Sequence, residues 1–115
     1  MKTLIVTAAD EAYAPLLSDL LDSLDPHRGP LNVAVACLDI GLSGAARTAI
    51  AARVDHVVAP QWPFRPHPTF DANRRYLSRA TRPFLPDLVP GYALYVWLDA
   101  DVWVQDPLAL RWLVE

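Results

Sequence analysis

The sequence predicts an α/β domain: a mostly parallel, Rossmann-like sheet with helices on both faces. Three observations carry that expectation. Short apolar runs of strand length alternate along the chain with segments whose leucines recur at helical spacing. The runs are apolar at successive positions, as in strands covered on both faces. The length, 115 residues, suits one domain and is short for two.

The elements follow in order. Leu4-Ile5-Val6-Thr7-Ala8 reads as a buried first strand. Leu16, Leu17, Leu20, Leu21 and Leu24 recur at helical spacing and predict a helix over about Tyr13–Leu24 with one apolar stripe. Asp25-Pro26 is expected to end it, because the residue before a proline disfavours helical backbone. Leu31–Leu38 is the second strand, and Ser43 can cap a helix running through about Arg53. His56–Ala59 is a short third strand. Four prolines and two aromatics make Pro60–Pro68 a rigid, non-helical connection.

A further helix is expected from about Asp71 to Leu85, kinked or ended by Pro83. The fourth strand, Leu94–Leu98, delivers Asp99. Asp106-Pro107 reads as the cap and first-turn proline of a last helix bearing Leu108, Leu110, Trp112 and Leu113. That helix stops at Leu113-Val114-Glu115 with no glycine cap and no polar tail. An incomplete domain is therefore expected, with self-association through the exposed last helix.

Composition narrows the function classes. The apolar share of 53% lies slightly above the usual range and excludes a disordered chain. A net charge of −3 gives no general attraction to nucleic acid or anionic membrane. Every basic residue except Lys2 is Arg, and most lie between Arg47 and Arg82, so a locally basic surface can still meet an anionic ligand. Cys37 is the single cysteine and sits in an apolar run, so it reads as a buried small hydrophobe. No stretch reaches the roughly 18 apolar residues of a membrane span. The run Leu4–Ala9 is cut short by Asp10-Glu11, too early for a signal-peptide core. A cytoplasmic setting is the default expectation.

The chemistry centres on Tyr95-Val96-Trp97-Leu98-Asp99-Ala100-Asp101-Val102-Trp103-Val104, an apolar run broken by two carboxylates. An ionised Asp in such a run is costly unless something positive meets it. No Lys or Arg lies within the run, and a hard divalent cation at the carboxyl end of a strand would meet both charges. The alternative is that the two Asp cap a following turn or helix.

At the end of the first strand, small Ala8 and Ala9 would let a flat ligand approach the backbone. Asp10 can accept hydrogen bonds from a base or ribose, and Tyr13 offers a ring for stacking. The alternative is that Asp10 caps the helix and Tyr13 packs on its surface. Neither the dinucleotide fingerprint nor the phosphate loop is present.

Taken together, three segments resemble glycosyltransferase family 8, retaining nucleotide-sugar transferases of the GT-A fold. They are Val6–Leu17, Arg82-Pro83-Phe84-Leu85-Pro86-Asp87-Leu88-Val89-Pro90, and Tyr95–Val104, the last similar to the family's Y-L-D-A-D-V-x-V core. The resemblance implies that residues 1–115 form the N-terminal nucleotide-sugar-binding part, with the acceptor part beyond them. It implies Asp99 and Asp101 as ligands of Mn²⁺ (or Mg²⁺) on the diphosphate of a UDP-sugar, with Ala100 between them. Ala8, Ala9, Asp10 and Tyr13 would border the uracil and ribose. Arg82 would lie near the donor, with Arg79 one helical turn earlier as its substitute.

Two positions depart from the family pattern. Pro83 stands where an apolar residue is usual. The family's third metal ligand, a His late in the domain, has no match, because His27, His56 and His67 all precede Asp99 and read as surface or turn residues. The expected activity is retaining transfer of a hexose to an acceptor that the sequence does not identify. Two alternatives remain. One is a non-catalytic nucleotide-binding or interaction module. The other is a haloacid-dehalogenase-like phosphohydrolase, in which the first Asp is a nucleophile; that pattern calls for Thr or Val where Trp103 stands.

Overall fold

A computed structural model describes residues 2–65 and 74–115. Among them the elements are β1 (Thr3–Ala9), α1 (Ala14–Leu31), β2 (Val33–Asp39), α2 (Gly44–Ala51), β3 (His56–Val58), α3 (Arg74–Ala80), a 3-10 turn (Arg82–Phe84), α4 (Leu85–Leu88), β4 (Leu94–Trp97) and α5 (Pro107–Val114). The strands pair in parallel in the order β3-β2-β1-β4. This is the α/β architecture that the apolar runs predict.

Strand alternation sorts the core into two layers. Ile5, Val33, Val35, Cys37 and Val96 pack with Leu17, Leu20, Leu21 and Leu24 of α1, Ile50 of α2 and Leu110 of α5. Leu4, Val6, Ala34, Ala36 and Leu38 face the other way, against Leu85, Leu88 and Val89. Helices thus cover both faces, which is why β1 and β2 are apolar at nearly every position. Cys37 is fully buried, and burial, reinforced by the nearby Asp39 charge, pushes its thiol up to about 12. It packs as a hydrophobe, as its apolar run predicts.

The first helix overruns its expected end. It continues through Pro26 and Pro30 to Leu31, although a proline inside a helix costs about 3 kcal/mol or more. Tertiary contacts hold the extension. The Arg28 guanidinium donates to the Arg53 carbonyl at 2.6 Å and to Asp55 Oδ2 at 2.7 Å. Arg53 in turn donates to Asp22 Oδ1 at 2.7 Å and Asp25 Oδ2 at 3.0 Å, so the connection before β3 is clamped along α1. Asn32 ends the helix in the left-handed region (φ 52°), donating its N–H to the carbonyls of Arg28 and Gly29. Asparagine tolerates that backbone better than most residues.

Other boundaries shift as well. The second strand starts at Val33 rather than Leu31, because Leu31 belongs to α1. The third ends at Val58, not Ala59. α3 stops at Ala80, short of Leu85: Pro83 has no N–H to continue the ladder and disfavours helical backbone at Arg82. Thr81 closes that end, its hydroxyl donating to the Leu77 carbonyl at 2.9 Å. The chain then makes the 3-10 turn and the single turn of α4. Ser43 and Asp106 cap α2 and α5 as expected, accepting from the Ala46 and Leu108 N–H groups.

His56 is not a surface or turn residue. It lies half-buried in β3, with Nε2 2.7 Å from the Tyr92 hydroxyl, and His27 lies within α1. His67, the end of the Pro60–Pro68 connection and the start of the helix expected from Asp71 fall outside the described residues. Residues 59–65 are neither helix nor strand.

Two outcomes test this packing. Thr7 on β1 is fully buried and its hydroxyl has no hydrogen-bond partner among the described residues. Thr7→Val is expected to stabilise the chain by about 1 kcal/mol in urea denaturation. In Arg28→Ala, the amides of Gly29, Leu31 and Asn32 should exchange with solvent markedly faster while those of Leu20–Leu24 keep their protection. Unchanged exchange at Gly29, Leu31 and Asn32 would show that the clamp does not hold the extension.

Candidate functional site

Successive strands step outward from β1 to β3, and the next crossover returns to the far side of β1 to add β4. The winding therefore reverses between β1 and β4. In open α/β sheets the ligand crevice forms at the carboxyl ends of the strands at such a reversal. A cleft of about 730 Å³ lies there, within the roughly 300–1,000 Å³ usual for small ligands.

The eight candidate residues converge on this cleft. Ala8, Ala9 and Asp10 come from the end of β1, with Tyr13 just beyond, while Asp99, Ala100 and Asp101 follow β4 and Arg82 opens the 3-10 turn. Arg79 lines the same cleft. β1 delivers its residues beside β4 because Val6 pairs with Trp97 and the Leu98 N–H donates to the Val6 carbonyl at 3.0 Å. The pairing thus runs to the residue before Asp99.

Asp10 also shapes the chain, as its alternative reading expects. Its Oδ1 accepts from the Tyr13 N–H at 3.0 Å, turning the backbone into α1. The Tyr13 side chain is 38% exposed at the mouth of the helix. The turn occupies one side of the carboxylate, and Asp10 still lines the cleft.

Asp99 has a positive partner that the apolar run itself lacks. Its Oδ1 accepts from Trp97 Nε1 at 2.8 Å and from an Arg82 nitrogen at 3.4 Å, and the Arg82 guanidinium carbon lies 4.2 Å from the Trp97 ring centroid. The side chains of this ion pair are 41% and 62% exposed, so in solvent it contributes at most about 1 kcal/mol. Asp101 is exposed and has no side-chain partner among the described residues. No third His, Cys, Asp or Glu joins the two carboxylates into a metal-binding group among those residues. Their donor set is two carboxylates on an open cleft. It fits a hard cation that takes its remaining oxygens from a ligand and water.

A neighbouring loop braces the β1 end. Asp39, at the end of β2, accepts from the Gly41 and Leu42 N–H groups at 3.0 and 2.8 Å and pairs with Arg47. Burial raises its carboxyl pKa, but those N–H groups and the Arg47 guanidinium outweigh burial and hold it below the usual value. The loop is zipped to the first: the Ile40 N–H donates to the Ala9 carbonyl, the Glu11 N–H to the Gly41 carbonyl, and the Ser43 N–H to Glu11 Oε2 at 2.7 Å. Gly41 adopts φ +138° with a Cβ position 3.5 Å from the Asp10 Cβ, a backbone only glycine takes readily. Arg47 and Arg53 are thus engaged in ion pairs, and among the described residues the arginines lining the cleft are Arg79 and Arg82.

Four lining residues escape the sequence reading: Ile40, Tyr76, Ser78 and Trp97. Trp97 left a signal, standing two positions before Asp99 and so on the same side of the strand. Ile40, Tyr76 and Ser78 reach the cleft only through loop and helix packing.

The chain aligns with solved structures of LgtC. An active-site mutant of LgtC aligns with a TM-score of 0.65 and 26% identity over 95% of this chain and 41% of that one. The galactosyltransferase LgtC in complex with donor and acceptor sugar analogues aligns with a TM-score of 0.61 and 27% identity over the same shares. This is a glycosyltransferase fold of the GT-A type. The likeness to family 8 seen in the motifs extends to the architecture. The chain spans 41% of the length of these structures. No protein-family model matches the sequence, and no curated relative does.

The bracing by Asp39 has a pH signature. Because its folded pKa lies below the unfolded value near 3.8, its contribution is fully present above that value and is lost as pH falls through the folded pKa. The stability difference between wild type and Asp39→Asn should hold steady above about pH 5 and shrink as pH falls below 3.8 through the folded pKa. Denaturant titrations across that range measure it, and a pH-independent difference would contradict it.

Proposed function

We propose that these residues form the donor-binding part of a retaining glycosyltransferase that transfers a hexose from a UDP-sugar to an acceptor with the help of Mn²⁺ or Mg²⁺. The observation that supports this most is the convergence at the winding reversal: Asp10 and Tyr13 on one wall, Asp99 and Asp101 on the other, and Arg82 beside them. The acceptor-binding part is proposed to lie beyond residue 115.

Each residue has a role in that reading. Ala8 and Ala9 keep the wall beside β1 flat for the uracil and ribose, which Asp10 and Tyr13 border. Asp99 and Asp101 would hold the cation, whose chemistry is to neutralise charge on the diphosphate as a Lewis acid and orient it. Arg82 adds a fixed positive group where negative charge grows on the leaving phosphate. Ala100, buried between the two carboxylates, packs into the core and anchors their turn. Oxygen ligands suit either ion.

Among the described residues no helix is long and apolar enough to cross a membrane, which is compatible with the cytoplasmic setting that belongs to the proposal. Leu108, Trp112 and Leu113 of α5 are exposed, and self-association through them is part of it too.

Calorimetry with UDP tests the reading. Binding is expected with Mn²⁺ present, and it should weaken more than about ten-fold in chelator and in Asp101→Ala. Equal affinity with and without the ion would overturn the metal assignment. A phosphoryl adduct on Asp99 after incubation with a phosphate monoester would instead favour the phosphohydrolase chemistry.

A further inference from the structure

We infer that Trp97 is the positioning residue of this cleft, holding Arg82 and Asp99 in one arrangement from which both address a bound diphosphate. The inference rests on the donor-site reading above and adds a residue to it.

Two contacts meet on this side chain, and a third joins their partners. Its indole Nε1 donates to Asp99 Oδ1 at 2.8 Å, its ring carries the Arg82 guanidinium at 4.2 Å, and Arg82 itself reaches the same oxygen at 3.4 Å. Arg82 and Asp99 are otherwise exposed. An exposed pair of that kind loses much of its attraction to solvent screening and rotamer entropy. Trp97 differs from both because it is anchored. It is the last residue of β4, paired with Val6, and its body packs on the core layer of Leu85 and Val89. The strand fixes the backbone, the core fixes the ring, and only the indole edge and one face remain for the cleft.

The chemistry of the indole decides what it can order. Its N–H donates and never accepts, so it pairs with a carboxylate oxygen of Asp99 and not with another donor. Both contacts fall on Oδ1, which leaves Oδ2 for a cation. A ring face over a guanidinium keeps that group flat and its outer N–H donors available. One rigid side chain thereby sets an anion and a cation side by side. That is the arrangement a metal-bound diphosphate requires, and ordering it in advance removes a cost of binding.

Geometry also makes Trp97 specific to the phosphate end. Asp10 and Tyr13 line the cleft from the β1 end, whereas Trp97 engages Arg82 and Asp99. Loss of its contacts should therefore affect diphosphate recognition and spare the nucleoside end.

Calorimetric titration of the chain with UDP plus Mn²⁺, and separately with uridine, tests this in wild type, Trp97→Phe and Trp97→Leu. Phenylalanine keeps a ring beneath Arg82 and removes the N–H, whereas leucine removes both. Affinity for UDP with Mn²⁺ should fall about ten-fold in Trp97→Phe and further in Trp97→Leu, with uridine affinity unchanged. In an Asp99→Asn background, Trp97→Phe should cost less than it does alone, because the two residues act through one contact. Unchanged UDP affinity in both variants overturns the inference, as does an equal loss for UDP and uridine, which is the mark of a purely structural role. Failure of the wild type to bind UDP would instead remove the donor-site reading, and the role of Trp97 with it.

Discussion

The parallel pairing of β1 with β4 is the constraint on which the rest of the molecule depends. Thr3 opposite Leu94 and Val6 opposite Trp97 set the register, and a register cannot slip by one residue without turning every side chain to the wrong face. In this register Leu4 and Val6 join one core layer and Ile5 the other. The same register brings the Ala8–Asp10 end beside the Asp99–Asp101 turn. The core and the cleft are two consequences of one pairing, so the site needs no separate scaffold.

Charge works locally and burial works globally in this fold. The arginines sort into two uses. Arg28, Arg47 and Arg53 are spent on carboxylates and carbonyls that fasten loops to α1 and β2. Arg79 and Arg82 face the cleft. Individual exposed pairs contribute about 1 kcal/mol or less, while each fully buried leucine contributes roughly 2 kcal/mol or more relative to exposure. The leucine stripe of α1 accordingly fixes where the helix lies. Beyond Pro26 the helix is tied down by Arg28, which reaches the Arg53 carbonyl and Asp55.

The loop built on Asp39 shows how a polar residue serves the cleft from a distance. It is nearly buried, yet its charge is satisfied by two backbone N–H groups and Arg47. The loop it orders is bonded to the segment carrying Asp10 and Glu11. A buried carboxylate satisfied in this way stiffens its surroundings and holds one conformation. Trp97 plays the matching part on the opposite wall, where an indole and not a carboxylate fixes the neighbouring charges. Both walls therefore rest on groups anchored in the core layers.

The sequence by itself determined the strands, the leucine stripe of α1, the caps at Ser43 and Asp106, and the pair Asp99 and Asp101. These are legible because apolar periodicity, capping chemistry and strand-end carboxylates are local, and the interactions behind them act over a few residues. Tertiary structure alone decided the rest. Past Pro26, α1 is bridged to the connection before β3 by Arg28, through contacts separated by 25 or more residues. Arg82 meets Asp99 across 17 residues, so an apolar run with no Lys or Arg of its own acquires a positive partner through folding. His56 is half-buried in β3, where Tyr92, 36 residues away, meets it edge-on and hydrogen-bonds to it. In each case the deciding partner lies far along the chain, and only closing the sheet and layering the helices brings such groups within hydrogen-bonding distance.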